Sequence, residues 1–101
     1  MNPLEAIQVA MTRRSPTDSA GPPWIPAEVV DLGTMLRAYT VNGAFAAFDE
    51  ATTGTLEVGK AADVIVLDRD LTRIPPAEIH RARVLLTLLD GKPVYRDRVL
   101  R

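Results

Sequence analysis

The sequence contains no cysteine and only one histidine among its 101 residues. Without thiols, the chain has no disulfide framework, no cysteine nucleophile and no cysteine-ligated zinc or iron–sulfur site. A metal that activates water needs about three protein ligands and an open position, whereas His80 is the single imidazole. The sequence therefore predicts no catalytic residue, no metal site and no cofactor in this chain.

An excess of either charge is missing too, because 12 Lys and Arg oppose 13 Asp and Glu for a net charge of −1. Such a balance leaves no electrostatic footprint for nucleic acid or an anionic membrane. No apolar run approaches the roughly 20 residues that cross a bilayer, and the N-terminus lacks the pattern of a secretory signal. We expect a cytoplasmic protein with no nucleic-acid or membrane partner.

Helical patterns occupy the first half of the chain. Asn2 is a suitable N-cap, Pro3 suits the first helical position and Glu5 completes a start resembling a capping box. Asp31 is the predicted cap of a second helical stretch, and the Asn42-Gly43 pair predicts two short helices that meet near Asn42. Core packing is the predicted role of the aromatic residues in this stretch, namely Tyr39, Phe45 and Phe48.

A proline-rich segment without periodicity, residues 15–26, separates the two helical stretches and predicts a loop. Trp24 is its one large side chain. Two interpretations stay open for this ring: it packs on the neighbouring helix, or it lines a pocket of a larger enzyme.

Strand patterns occupy the second half. Val64–Leu67 is a short apolar run typical of a strand covered on both faces. Thr55–Val58, between two glycines, predicts a preceding strand joined to it by a turn at Gly59-Lys60. Asp90-Gly91 predicts a hairpin between strands at 82–89 and 92–96.

Smaller features complete the prediction. Pro75-Pro76 predicts a short helical turn through His80, Pro93 is compatible with an edge strand, and Asp97 to Arg101 is expected to fray. Helices followed by strands indicate an α+β fold rather than alternating βαβ units.

The segment from Gly54 to Asp68, Gly-Thr-Leu-Glu-Val-Gly-Lys-Ala-Ala-Asp-Val-Ile-Val-Leu-Asp, closely resembles the exit from the catalytic barrel in metal-dependent amidohydrolases of the urease-like superfamily. The flanks extend this resemblance, with Leu36–Ala47 similar to the preceding helical stretch and Val84–Tyr95 similar to the final hairpin. Asn2–Arg14 resembles the helix after the eighth barrel strand in amidohydrolase family 3, which includes N-substituted formamide deformylases.

The resemblance implies that the chain corresponds to the C-terminal end of such an enzyme. Residues 1–50 would be the helical end of a TIM-like barrel, and residues 51–101 would be an antiparallel part of its composite β-sandwich. Family members hydrolyse amide or related C–N bonds with one or two divalent metals such as zinc. Their metal-binding Asp of the eighth strand would precede Asn2, so the chain would start just after it.

Each remaining polar candidate has a structural interpretation. His80 is predicted to lie on the surface or to pack at a hairpin, Lys60 to belong to a structural turn, and Asp63 and Asp68 to end the strand between them. Ser15 and Ser19 have no histidine in a local constellation that would support nucleophilic catalysis. The metal, the substrate and the pocket would then be supplied by other parts of the enzyme.

Two functional hypotheses follow. In the first, the chain is a structural fragment or domain of a metal-dependent amidohydrolase acting on non-peptide C–N bonds, inactive alone and partnered by the rest of that enzyme. In the alternative, it is a stand-alone oligomeric binding or scaffold module derived from that fold, in which a second copy covers the open strand edges and apolar stripes. Homo-oligomers are expected in either case.

Overall fold

The computed structural model describes residues 2–16 and 21–100. Three α-helices precede a three-stranded antiparallel sheet, so the predicted α+β composition is confirmed. The helices are α1 (Pro3–Thr12), α2 (Leu32–Tyr39) and α3 (Val41–Ala46), and the strands are β1 (Val64–Leu67), β2 (Val84–Leu89) and β3 (Lys92–Arg96). Short 3-10 helices lie at Pro26–Glu28, Pro76–Arg81 and Arg98–Leu100.

The residues group into two compact units, each built from two stretches of the chain. The first combines the described part of Met1–Leu36 with Asp70–Ala82, and the second combines Arg37–Arg69 with the described part of Arg83–Arg101. Residue 50, where the sequence suggested a division, lies inside the second unit. The assignment of residues 1–50 and 51–101 to two regions of a larger fold stays a prediction.

Helix α1 organises the first unit and begins as predicted. The Asn2 side chain caps it by accepting a hydrogen bond from the Leu4 amide at 3.0 Å, and Pro3 fills the first turn, where its missing N–H costs nothing. The predicted turn at Pro75-Pro76 is confirmed as the 3-10 helix Pro76–Arg81, which packs on α1. Ile7 of α1 and Ile79 of the 3-10 helix are buried and supply the centre of this small core.

Trp24 is held at the C-terminal end of α1 by the C-cap residue Arg13. Its ring is 71% exposed and lies 5.0 Å from the Arg13 guanidinium, a cation–π distance. Two backbone-directed hydrogen bonds reinforce the pair, from the Trp24 amide to the Arg13 carbonyl at 2.8 Å and from Arg13 Nε to the Trp24 carbonyl at 2.9 Å. Of the two open interpretations, the contact with the neighbouring helix is present through its C-cap residue Arg13, and the pocket-lining role in a larger enzyme stays a prediction. Part of the predicted loop, residues 17–20, lies outside the described residues.

Helices α2 and α3 meet at Thr40, two residues before Asn42, so the predicted pair of short helices is confirmed. The Asp31 carboxylate caps α2 as expected, accepting from the Thr34 amide at 2.7 Å. Thr40 leaves helical geometry with φ −125° and ψ −96°, while Asn42 and Gly43 lie inside α3. Helix α3 makes a close tertiary contact with Gly54.

That contact needs a residue without a side chain. A Cβ added to Gly54 would lie 2.8 Å from Ala44 Cβ and 3.1 Å from Val41 Cα, and Gly54 has φ +97°. Both the space and the backbone conformation therefore require glycine.

The predicted core role of Tyr39, Phe45 and Phe48 is wrong for this chain. All three rings are exposed, and Phe48 is 94% exposed. Ala44 is the one buried residue of α3. The described residues supply no layer over the aromatic side chains, so periodicity identified an apolar face correctly but not what covers it.

The sheet has the order β1-β2-β3. Asp90 and Gly91 both have positive φ, 51° and 79°, as a type I′ hairpin turn demands, and join β2 to β3 as predicted. Strand β3 is an edge strand, which accommodates Pro93 without loss of a central ladder bond.

Two predictions about the first strands are wrong. Thr55–Val58 is irregular, because its backbone turns at Glu57–Lys60, where the Lys60 amide donates to the Glu57 carbonyl at 3.1 Å. The outer edge of β1 consequently has no strand partner within residues 2–16 and 21–100. Strand β1 is also not covered on both faces, since Ile65 is 53% exposed.

The end of the chain is more ordered than predicted over its described part. Asp97 Oδ1 accepts from the Val99 amide at 3.1 Å and starts the 3-10 helix Arg98–Leu100. Its other carboxylate oxygen pairs with Arg83 Nη2 of the strand region at 2.7 Å. A capped turn and an ion pair therefore replace the expected fraying up to Leu100.

Candidate functional site

His80, the single imidazole, is engaged by a buried amide rather than by acidic side chains. Gln8 of α1 is 1% exposed, and its Oε1 lies 2.6 Å from the His80 amide nitrogen and 2.8 Å from His80 Nδ1. The structure thus places His80 at the junction of α1 and the 3-10 helix Pro76–Arg81. This is a structural position, although the packing partner is a helix and not a hairpin.

The same contacts define the proton on the ring. A backbone N–H can only donate, so the Gln8 atom that it meets must be the carbonyl oxygen. That oxygen can only accept, and Nδ1 of His80 must therefore carry a hydrogen and donate it. One buried amide oxygen holds both the backbone and the side chain of His80.

Asp63 and Asp68 lie at opposite ends of β1 and do not converge. Asp63 Oδ1 accepts from the Asp90 amide at 2.8 Å, and Asp68 Oδ1 accepts from the Arg83 amide at 2.8 Å. Each carboxylate thereby satisfies a backbone donor next to a neighbouring strand end. Their geometry agrees with strand termination and offers no acid–base pair.

Lys60 is also occupied by local contacts. Its ammonium donates to the Glu50 carbonyl at 2.6 Å and to Thr55 Oγ1 at 2.8 Å, and it pairs with Glu57 at 3.0 Å. These partners hold the 49–61 loop together. Of the two serines considered, Ser15 follows the C-terminal end of α1, and Ser19 lies outside the described residues.

A groove of about 470 Å³ lies in the second unit. Sequence patterns did not indicate it, because its walls come from α2, α3, β1 and the irregular segment after Thr53. The residue that could have indicated the groove from the sequence is Gly54, which lines it and lies in close contact with α3. The lining combines apolar side chains with threonine hydroxyls and one carboxylate, including Tyr39, Thr53, Leu56, Asp63 and Ile65.

Within residues 2–16 and 21–100, no group of three or more His, Cys, Asp or Glu side chains is arranged to hold a metal ion. His80 has its Nδ1 on an amide oxygen, and the carboxylates of β1 face backbone amides. Also within that part of the chain, no helix has both the length and the apolar character needed to cross a bilayer.

Residues 1–95 match the model of the Amidohydrolase family. The chain belongs to the amidohydrolase family. An N-substituted formamide deformylase from Arthrobacter pascens is 37% identical over 90 residues, which are 89% of this chain and 16% of the deformylase. YtcJ from Bacillus subtilis (strain 168), named as an amidohydrolase, is 30% identical over 95 residues, 94% of this chain and 18% of YtcJ.

A solved structure agrees with the sequence relatives. The crystal structure of an amidohydrolase from Thermotoga maritima MSB8 superimposes with a TM-score of 0.57 and 28% identity, covering 67% of this chain and 16% of that one. This amidohydrolase chain therefore spans about a sixth of the length of the relatives that it matches.

Amidohydrolases generally depend on a metal. The His, Asp and Glu side chains of residues 2–16 and 21–100 do not form a set of ligands that would hold a metal ion. Metal-activated water requires about three ligands arranged around one ion. His80 is the single imidazole of the chain, and Asp63 and Asp68 are separated by the length of β1. No catalytic step is therefore assigned to the side chains described here.

Proposed function

We propose that this chain is the C-terminal scaffold part of a metal-dependent amidohydrolase that cleaves non-peptide C–N bonds. The observation that carries the proposal is the family match over residues 1–95. The relatives that this chain matches are about six times as long as the chain. In this proposal the catalytic metal, such as zinc, and the substrate pocket are supplied by the remainder of the enzyme. The chain by itself does not hydrolyse amides.

The surface of the chain supports a scaffold role. Large apolar side chains are exposed in both units, and the outer edge of β1 has no strand partner among the described residues. Soluble monomers rarely leave extended apolar patches and flat strand edges open. The rest of the same enzyme is the partner that would cover them in this proposal.

A chimera tests this function. Replacing the matching 90-residue region of the Arthrobacter pascens deformylase with this chain should give a folded protein that keeps its metal and hydrolyses an N-substituted formamide. Metal content by mass spectrometry and substrate turnover are the two measurements. Loss of metal and activity in the chimera, while this chain folds normally on its own, would contradict the proposal.

Gly54→Val supplies a matched control within the chimera. Valine at this position would place Cβ 2.8 Å from Ala44 Cβ and hold a β-branched residue at φ +97°. The chimera with this substitution should be destabilised and lose activity. Gly21→Val, where a Cβ meets nothing within 4 Å and the backbone φ is unremarkable, should leave the chimera active.

A second candidate function is an oligomeric binding module. The same exposed apolar residues favour it, because a second copy would cover them and the net charge of −1 offers little repulsion. In this case the purified chain would be dimeric or larger at micromolar concentration by light scattering. A monomer that binds little apolar dye would count against association of either kind.

A further inference from the structure

The Lys60 ammonium lies in a cage of four oxygen atoms. Nζ is 2.6 Å from the Glu50 carbonyl, 2.8 Å from Thr55 Oγ1, 3.0 Å from Glu57 Oε2 and 3.5 Å from the Thr53 carbonyl. The Lys60 side chain is only 15% exposed. Two carbonyls, a hydroxyl and a carboxylate therefore contact one ammonium group.

All four oxygens come from one loop, residues 49–61. The Ala61 amide donates to the Thr52 carbonyl at 2.8 Å and closes the loop at its base. Between these ends the backbone has no strand ladder, since Thr55–Val58 is irregular. The Lys60 ammonium donates to carbonyl oxygens that a strand ladder would otherwise satisfy.

The charge of the cage matches its occupant. The hydroxyl of Thr55 donates to Glu57, and together with the Lys60 ammonium it lowers the pKa of Glu57 below its ordinary value. Glu57 is therefore ionised at neutral pH, and the cage carries one negative charge for one ammonium. Charge-assisted hydrogen bonds of this kind are stronger than neutral ones.

We propose that this cage is a binding site for a primary ammonium group, filled by the chain's own Lys60, and that its occupancy sets the position of residues 53–56. These residues form one wall of the 470 Å³ groove. The wall rests on α3 through Gly54, so a shift of the loop would move the groove and this contact together. Lys60 acts as a positioning residue in this account.

Lys60→Ala tests the proposal by leaving the cage empty. The melting temperature should fall by about 4–8 °C, the shift that corresponds to one lost interaction in a domain of this size. Propylammonium chloride, which restores both the ammonium and most of the deleted stem, should recover at least half of that loss. Tetramethylammonium chloride at equal ionic strength should recover none, because it has no N–H donor.

Lys92→Ala is the matched control, since it removes the other lysine of the chain from the exposed strand β3. Its melting temperature should not respond to propylammonium. Equal recovery of Lys60→Ala by both salts, or recovery by neither, would overturn the proposal.

A second variant decides the matter if Lys60→Ala does not fold. Thr55→Val removes one cage oxygen and keeps the ammonium, and it should speed hydrogen exchange of the Ala61 amide several-fold. Thr72→Val removes a hydroxyl that bonds the Asp70 carboxylate at 2.6 Å outside the cage, and it should leave that amide unchanged. Unchanged exchange in Thr55→Val would also overturn the proposal.

Discussion

Phe48 occupies a backbone position that normally belongs to glycine. It follows α3 with φ +59°, and its amide donates to the Phe45 carbonyl while the Asp49 amide donates to the Ala44 carbonyl. This is the hydrogen-bond pattern of a Schellman motif, in which glycine is favoured after the C-cap. The ring gains nothing from burial in this chain, because it is 94% exposed.

Phe48→Gly should therefore stabilise the isolated chain. Relief of the left-handed conformation contributes about 1 kcal/mol, and urea unfolding followed by circular dichroism measures the gain. Ala47→Gly is the control, because Ala47 has φ −88° and no left-handed strain to relieve. If the Phe48 ring contacts the rest of an amidohydrolase, the same substitution should weaken the chimera, and a loss of stability in the isolated chain would contradict this account.

Asp97 gives the chain a predictable response to acid. The Val99 amide and the Arg83 guanidinium are the main groups that hold the pKa of Asp97 below its ordinary value. A carboxyl whose pKa is lower in the folded state stabilises the fold above its unfolded pKa, and this contribution disappears as the pH falls through the folded pKa.

The wild-type melting temperature should consequently fall more steeply than that of Asp97→Asn as the pH decreases from 5 towards 2. Melting curves of both proteins across this range provide the measurement. Arg83→Gln in the wild type and in Asp97→Asn serves as a control. The effects of the two substitutions on the melting temperature should be non-additive at pH 6, where the ion pair exists, and additive at the acid end. Parallel pH profiles for the wild type and Asp97→Asn would show that the ion pair does not act as described.

At the scale of elements, one buried oxygen, Oε1 of Gln8, adds polar contacts to the apolar packing of α1 on the 3-10 helix Pro76–Arg81. Gln8→Met keeps a similar volume but removes the acceptor of the His80 amide and of His80 Nδ1. Leaving a buried donor unsatisfied costs about 1–3 kcal/mol. Urea unfolding should report a loss of this order.

His80→Ala distinguishes the two bonds made by that oxygen. It removes the ring but retains the backbone amide, so it should cost less than Gln8→Met. A larger cost for His80→Ala would mean that the ring, and not the amide, holds the two helices together. Nitrogen shifts of His80 in NMR spectra at neutral pH should identify the tautomer protonated at Nδ1.

Elements whose determinants are local were predictable from the sequence. The Asn2 cap with Pro3, the Asp90-Gly91 turn and the Pro75-Pro76 turn specify backbone geometry within a few residues, and all three appear where expected. Thr55–Val58 has the composition of a strand, but a strand also needs a partner, and composition does not reveal one.

The contacts of single polar residues were harder to predict from the sequence. Asp63 and Asp68 end β1 as their turn-forming chemistry indicates. The partner of His80, however, is 72 residues away in the chain, and no local pattern points to Gln8. The oxygen cage of Lys60 is also assembled by a loop in which the sequence pattern predicted the turn at Gly59-Lys60 but wrongly predicted a strand at Thr55–Val58.

At the scale of the whole molecule, the apolar surface is the feature that unites these findings. The predicted core residues Tyr39, Phe45 and Phe48 are exposed, as is Ile65 of β1, while the small core of the first unit contains Ile7 and Ile79. A chain of about 100 residues buries only somewhat more than about 60% of its unfolded surface. The exposed residues follow the apolar pattern of helices and strands that pack against a partner. We propose that this partner is the rest of a larger amidohydrolase.

Metal binding by the isolated chain is the most direct measurement of the central claim, that this polypeptide is a scaffold and not a catalyst. The purified chain is incubated with zinc, dialysed, and measured by mass spectrometry for bound metal and with an N-substituted formamide for turnover. The account predicts far less than one zinc ion per chain and no hydrolysis above the rate of buffer with zinc. One tightly bound ion per chain, with turnover that a chelator abolishes, would contradict it.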